Sequence, residues 1–266
     1  MPQRRIALRL QYDGSAFHGA QRQAAALSVQ ESLEDAIEAL TQRPHRTAFA
    51  GRTDAGVHAL GQVAAFPTEA TLPLHRWVRG CNHFLPATLA VQDAREVPET
   101  FDPRRDARDR RYRYDVWLAA HRQPLLETRA WVVNGRLDLP AMRRAAAELV
   151  GTHDFASFSA KPGDRETVRT LQQVDLEALQ QDGLSGLRLT VQGESFLHHQ
   201  VRLIVGLLVR IGLGKADAGE IGQLFAEPKV GAAAPKAPAA GLVLVRIRYD
   251  LPELADWNDD EDVRPL

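Results

Sequence analysis

The sequence contains one cysteine, Cys81, among its 266 residues. A single cysteine excludes an internal disulfide and any zinc cluster built on several cysteines, and it fits a reducing cytoplasm. The longest apolar run, Leu203 to Leu213, is too short to span a bilayer and contains Arg210. Arg4 and Arg5 lead directly into a short alternating segment, so we expect neither a signal peptide nor a membrane partner.

Several common cofactor and nucleophile motifs are also missing. The sequence has no P-loop, no GxGxxG at a strand–helix junction and no GxSxG elbow. The sequence therefore gives no support to a prediction that the protein is a nucleotide-cofactor enzyme or a serine hydrolase.

Charge is nearly balanced but unevenly distributed. A net charge of −1 argues against a uniformly basic nucleic-acid binder. Six arginines nevertheless fall within ten positions: Arg104, Arg105, Arg108, Arg110, Arg111 and Arg113. Acidic residues collect near the C-terminal end, where we expect a disordered tail from about residue 255: Asp256, Asp259, Asp260, Glu261 and Asp262.

Hydrophobic periodicity predicts an α+β protein of two domains. Ser28 and Glu31 form a capping box at the start of one helix. The pattern predicts further helices over 74–84, 139–150, about 197–212 and 218–225, and strands over 5–12, 47–50, 62–66, 89–97, 112–118, 167–175, 184–192 and 242–249. The break at Phe101-Asp102-Pro103 predicts an N-terminal domain of residues 1–103 and a C-terminal domain of residues 104–266.

The run Gly51 to His58 (GRTDAGVH) combines the most special residue types in the fewest positions. The ordinary interpretation of Asp54 is a turn residue or a helix N-cap. Neither of those roles needs Arg52 and His58 close by. A carboxylate between an arginine and a histidine can instead be kept ionised and directed at a substrate.

Tyrosines alternate with arginines in Arg110 to Tyr114 (RRYRY). On a strand, Tyr112 and Tyr114 point to one face and the arginines to the other. At least one of these tyrosines is expected in the core. In the functional interpretation, the arginine face contacts RNA phosphates and a tyrosine ring stacks on an RNA base.

The histidines offer poor metal-binding patterns. His198 and His199 are adjacent, and on a helix they point about 100° apart, whereas metal helices use i, i+4 spacing. Asp154, beside His153, is more typical of a turn. Arg202 opens an apolar helix and either extends to solvent or pairs with a buried carboxylate, for which Asp54 is the candidate.

These motifs together resemble the TruA family of tRNA pseudouridine synthases. The resemblance rests on Gly51 to Val63 (GRTDAGVHALGQV) and on five further segments in the family order: Tyr12 to Gln23, Arg111 to Tyr114, Gly151 to Phe155, Phe196 to Gly206, and Pro238 to Leu244. The chain departs from the family at Ala20, where tryptophan is usual, and at Gln200, where methionine is usual.

The resemblance implies a fold, a reaction and a set of site residues. It implies the pseudouridine synthase fold, with two α/β domains of mixed, mainly antiparallel sheets meeting at a cleft, and a homodimer. It implies that uridines 38–40 in the anticodon stem-loop of tRNA are isomerised without a cofactor or a metal. Asp54 corresponds to the catalytic aspartate, Tyr112 to the active-site tyrosine and Arg202 to the basic residue that pairs with the aspartate.

We expect Arg22, Arg52, His58, Arg110 and Arg111, with Tyr112, to contact the RNA substrate.

Two alternative functions would use some of these residues in other roles. A non-catalytic RNA-binding protein would need the tyrosines and arginines but not Asp54. A metal-dependent hydrolase would combine Asp54 with the histidines: His58, His153, His198 and His199.

Overall fold

The computed structural model describes residues 3–24, 26–160, 166–233 and 235–258. In chain order, the strands are β1 (Arg4–Tyr12), β2 (Ala48–Phe49), β3 (His58–Thr68), β4 (Leu89–Val97), β5 (Ala107–Leu118), β6 (Trp131–Val133), β7 (Gly151–Asp154), β8 (Val168–Gln181), β9 (Leu184–Gly193) and β10 (Leu242–Tyr249). The helices are α1 (Val29–Thr41), α2 (Leu74–Phe84), α3 (Leu139–Glu148), α4 (Gln200–Gly212) and α5 (Glu220–Ala226). Helices interspersed with mixed strand pairing confirm the predicted α+β class.

The chain divides into two compact units. Unit 1 consists of Met1–Arg110 with Val243–Leu266, and unit 2 consists of Arg111–Leu242. The division predicted from sequence falls at residue 103 and leaves all later residues in one domain. The last strand instead returns to unit 1, because Val243 and Leu244 pair in parallel with β3. A partner so distant in sequence leaves no local pattern.

In unit 1, the strand pairing is built around β1. This strand lies between β4 and β3 and is antiparallel to both, while β2 pairs antiparallel with β3. Ile6, Leu8 and Leu10 of β1 are fully buried. Phe66 of β3 packs edge-on against Trp77 of α2, with ring centroids 5.3 Å apart. Burial of each such side chain contributes about 1.5–3 kcal/mol to folding.

The two helices of unit 1 follow the sequence signals closely. The Ser28 hydroxyl accepts the Glu31 N–H, as the capping box predicts. The predicted bounds of α2 match the structure, and its buried face carries Trp77 and Cys81. The Asn82 side chain fixes α2 to β4 by bonding both the N–H and the carbonyl of Val91.

Unit 2 contains strands in mixed pairing together with the helices α3, α4 and α5. β9 lies between β5 and β8, β7 is antiparallel to β8, and β6 is parallel to β5. Helix α4 is buried on every face except at Arg210. The helix predicted over 139–150 ends earlier, at Glu148, and Gly151 begins β7 with a φ of 116° that favours glycine. Within the described ranges, no helix has the length and apolar character required to cross a membrane.

The beginning of the C-terminal tail is ordered, contrary to expectation. Pro252–Asn258 forms a 3₁₀-helix in which Leu254 and Trp257 are buried. The Trp257 indole N–H donates to Asp93 of β4 at 2.9 Å, and Asp256 pairs with Arg95. The remaining acidic residues of the predicted tail, 259–262, lie outside the described residues.

Candidate active site

Asp54 lies in a loop between β2 and β3 in unit 1. Its carbonyl accepts the Val57 N–H at 3.2 Å, which closes a turn in which Gly56 takes a φ of 80°. Glycine is preferred at a turn position with positive φ. Because a strand follows this turn, Asp54 is not a helix N-cap. Its side chain is only partly buried, whereas Thr53 and Val57 are buried.

Buried hydrogen bonds connect the loop to β1 and β3. The Tyr12 and Thr53 hydroxyls are 2.8 Å apart. The Gln62 side-chain amide donates to Tyr12 Oη at 3.4 Å and to the Gly51 carbonyl at 3.0 Å. Tyr12 therefore accepts from Gln62, and either hydroxyl of the Tyr12–Thr53 pair can donate to the other. Burial raises the pKa of Tyr12 more than these two hydrogen bonds lower it, so the hydroxyl stays protonated.

The segment after β1 holds the loop from the side. The Gly14 N–H donates to His58 Nδ1 at 3.1 Å, and the Asp13 carboxylate lies 3.2 Å from the same nitrogen. A Cβ on Gly14 would lie 2.0 Å from the Val57 carbonyl oxygen, so only glycine fits. The Ala20 N–H donates to the Thr53 carbonyl at 3.0 Å. His58 is therefore part of the support of the loop.

The arginines predicted to contact RNA differ in their surroundings. Arg52 is exposed. Arg22 is also exposed, but it pairs with Glu31 and Glu34 at 3.4 and 3.2 Å. Arg110 is buried, and its guanidinium donates to the carbonyl of Ala50, which immediately precedes the GRTDAGVH run, and to that of Arg104. The structure thus places Arg110 among the residues that hold the loop.

In unit 2, the tyrosines and arginines of β5 alternate as predicted. Tyr112 is 9% exposed and packs edge-on against Phe196 at 5.1 Å. Tyr114 is fully buried, and its hydroxyl donates to the Pro238 carbonyl at 2.8 Å. This confirms that one tyrosine belongs to the core. Burial raises the pKa of Tyr114, which keeps it a donor.

The arginine face of β5 is less open than the sequence suggests. Arg111 donates through two nitrogens to the Gln192 side chain. Arg113 is buried, and this burial lowers its pKa. Asp115 forms a bidentate pair with Arg188, with both contacts at 2.7 Å. The expectation that the arginine face of β5 contacts RNA phosphates therefore fails at Arg113, because its side chain is buried.

Arg202 lies in the first turn of α4 and is 9% exposed, so it does not extend into bulk solvent. Its Nε donates to the Ala237 carbonyl at 2.8 Å, and the Ala237 N–H donates back to the Arg202 carbonyl at 2.9 Å. A Cβ on Gly206 would lie 2.0 Å from the Pro235 carbonyl oxygen. The glycine thus lets the segment that fixes Arg202 approach the helix.

The turn before α4 corrects one sequence interpretation. His198 and His199 precede the helix rather than lying on it, and their rings stack 3.7 Å apart. His199 has a φ of 65°, which is uncommon for a residue other than glycine. Gln200, one of the two departures, accepts the Leu197 N–H at 2.7 Å, while its Nε2 is buried and finds no acceptor among the described residues.

His153, the remaining histidine candidate, packs against an aromatic side chain. The His153 ring stacks on Phe225 with centroids 4.4 Å apart and an interplanar angle of 9°. Asp154 accepts the Ala156 N–H at 3.0 Å, which forms a side-chain turn next to a short 3₁₀-helix, as the sequence suggests. Both residues thus take part in packing and turn formation.

Comparison with known sequences identifies the family. Residues 10–104 and 145–250 match the tRNA pseudouridine synthase family. These ranges cover most of the chain. The chain belongs to this family. It is therefore a pseudouridine synthase, an isomerase.

Curated relatives extend this similarity over nearly the whole chain. The tRNA pseudouridine synthase A of Geobacter sulfurreducens is 42% identical over 246 residues, which cover 92% of this chain and 100% of the relative. The protein of the same name from Myxococcus xanthus is 42% identical, with 92% of each chain covered. The Burkholderia lata protein is also 42% identical, over 92% of this chain and 90% of its own.

The sequence indicates Asp54, Tyr112 and Arg202 as site residues, but it does not indicate which residues position Asp54 and Arg202. Tyr12, Gln62 and Gly14 hold the loop of this pseudouridine synthase, and Ala237 holds Arg202. The sequence signal for the first three is their place: Tyr12 and Gly14 flank the end of β1, and Gln62 lies just beyond the loop.

Proposed function

We propose that this pseudouridine synthase acts on tRNA and converts uridine to pseudouridine at positions 38–40 of the anticodon stem-loop. Asp54, in its ionised form, is the catalytic group, and neither a cofactor nor a metal takes part. The observation that carries the proposal is the placement of Asp54. Its carboxylate is partly exposed on a turn whose neighbouring residues are fixed by buried hydrogen bonds.

The reaction needs few groups. The N1–C1′ bond breaks, the uracil turns, and C5 bonds to C1′; C5 loses its proton and N1 gains one. No redox change occurs and no group is imported, so a carboxylate and a proton acceptor suffice. The hydrogen bonds that support the loop would hold the carboxylate in a defined position when the ribose binds, and such positioning lowers the barrier to reaction.

Tyr112 and Arg202 have separate roles in this proposal. Tyr112, packed against Phe196, stacks on the detached uracil and its hydroxyl assists removal of the C5 proton. Arg202 supplies the positive charge that the family pairs with its aspartate, and its fixed Nε keeps the guanidinium in place.

Binding of the substrate requires free energy to unstack the target uridine. The uridine must leave its helical stack to reach Asp54, which costs a few kcal/mol. Arginine contacts to phosphates and bases offset this cost, and exposed Arg52 is the first candidate.

We also propose that the chain works in the cytoplasm as a homodimer.

The test is turnover on an unmodified tRNA transcript with tritium at uridine C5. Asp54→Asn is expected to bind tRNA normally and release no tritium, whereas Asp35→Asn, the same change at an exposed position of α1, releases it at the wild-type rate. Chemical mapping, with uridines 38, 39 and 40 replaced singly by cytidine, identifies the position. Substantial turnover by Asp54→Asn would overturn the catalytic assignment.

A further inference from the structure

Helix α2 presents a continuous basic face. His75, Arg76, Arg79 and His83 are all exposed, and at 100° per residue they fall within one arc of about 100°. Along the axis they extend over about 12 Å. The opposite face, with Trp77 and Cys81, is buried. The helix contains no acidic residue.

Among the described residues of unit 1, many arginines pair with a carboxylate, but the four basic side chains of α2 do not. Within the part of the chain that the structure describes, none of the four forms an ion pair or a side-chain hydrogen bond. Eight other arginines of unit 1 each pair with a carboxylate: Arg4, Arg22, Arg43, Arg46, Arg95, Arg105, Arg108 and Arg248.

The neighbouring helix α1 carries carboxylates, yet among the described residues none of them forms an ion pair with α2. Helix α1 packs against α2, and Leu40 of α1 occupies the space that a Cβ on Gly80 would take. Helix α1 carries only acidic charges, yet those of Glu31 and Glu34 are paired with arginines outside α2. Asp35 and Glu38, the other acidic residues of α1, are exposed and form no ion pair with α2 among the described residues, so the charges of Arg76 and Arg79 remain available to a partner.

The end of α2 leads to the support of the Asp54 loop. The helix is followed by a turn in which the Leu89 N–H donates to the Pro86 carbonyl. The Thr88 carbonyl in this turn accepts the Asp13 N–H at 2.9 Å, and Asp13 contacts His58. A polyanion held on α2 would thus lie on the same unit as the proposed catalytic residue.

We propose that this face of α2 binds the phosphate backbone of the tRNA substrate outside the nucleotide being modified. The inference rests on the proposed function for the identity of the polyanion. Arg76 and Arg79 supply two permanent charges, and His75 and His83 add charge when protonated. Such contacts give affinity and salt dependence but do not touch the reacting atoms.

The test compares Arg76→Gln/Arg79→Gln with the wild type in direct tRNA binding over a range of salt. We expect roughly tenfold weaker binding at physiological salt, and a slope of log K against log salt that is shallower by about one to two. The rate at saturating tRNA should not change. The matched control is Arg43→Gln/Arg122→Gln, which removes the same charge from two exposed arginines that are already paired.

The outcomes separate this proposal from the proposed function. An unchanged affinity and salt slope in Arg76→Gln/Arg79→Gln would overturn it, and so would an equal loss in the control, which would reflect total charge alone. Thermal melting checks that both variants are folded. If the wild type forms no pseudouridine, the proposed function fails, but the binding comparison still decides whether α2 holds RNA.

Discussion

The hydroxyl of Tyr12 and the hydroxyl of Thr53 lie 2.8 Å apart in the interior of unit 1. This contact joins the end of β1 to the residue that immediately precedes Asp54. The contact anchors the loop to the buried core of unit 1. Loops that carry function on a rigid scaffold gain precision in this way.

Tyr12→Phe should therefore affect both stability and turnover. Removal of the hydroxyl takes a partner from Thr53 and one from Gln62, at a cost of about 1–3 kcal/mol in the free energy of unfolding. A less fixed Asp54 should lower kcat more than it changes KM. Urea unfolding and steady-state kinetics on tRNA measure the two effects.

Tyr249→Phe serves as the control for this variant. The Tyr249 hydroxyl is also buried in unit 1 and donates to the Pro103 carbonyl at 2.6 Å. It should lose comparable stability and keep kcat. Equal losses of kcat in both variants would show that the Tyr12 contact has no special role in positioning Asp54.

Gly14→Ala tests the close approach of the 13–20 segment to the loop. Its new Cβ would overlap the Val57 carbonyl oxygen, which cannot retreat without moving the turn at Asp54. We expect a large loss of activity and a lower melting temperature. Gly51→Ala adds the same methyl group where no atom lies within 4 Å, and its melting temperature should stay close to that of the wild type. Similar destabilisation by the two variants would contradict this account.

Much of the secondary structure could be predicted because its signals are local. The bounds of α2, β4 and β10 follow from periodicity, and Ser28 marks the start of α1. The contacts that position the candidate site are not local. Tyr12 meets Thr53, Arg110 meets Ala50, and these pairs are far apart in sequence.

The same distinction explains the errors. The ordered start of the tail depends on the contact between Trp257 and Asp93, which no pattern near residue 257 indicates. The arginine face of β5 looks solvated from alternation alone, because alternation predicts which side a residue faces and not what covers that side. Arg113 is enclosed for this reason.

Glu34 makes stability depend on pH. Burial raises the pKa of this carboxyl, but hydrogen bonds from the Thr47 backbone and from the Arg46, Gln30 and Thr47 side chains outweigh burial, so the pKa is lowered. A lowered pKa in the folded state adds stability above the unfolded value of about 4.3, and that stability is lost as pH falls through the folded value.

Glu34→Gln should therefore be less stable than the wild type by about 1–3 kcal/mol at pH 7, and the difference should shrink as the pH is lowered below about 4. Urea unfolding across this pH range measures it. Glu38→Gln, an exposed change on the same helix, should be nearly neutral. A difference between Glu34→Gln and the wild type that is independent of pH would show that the charge of Glu34 is not what stabilises the fold.

Gly206→Ala tests how Arg202 is held. The added methyl group would collide with the Pro235 carbonyl and push the 235–237 segment away from α4. Arg202 would then lose its reciprocal bonds with Ala237. We expect turnover on tRNA to fall sharply, with a smaller change in affinity.

Gly222→Ala is the matched change on α5. A Cβ there would come no closer than 3.4 Å to Glu148, and alanine is preferred to glycine in a helix by about 1 kcal/mol. This variant should keep its activity and melt at a slightly higher temperature. If Gly206→Ala retained full turnover while α4 remained folded by circular dichroism, a fixed Arg202 would be unnecessary for the reaction.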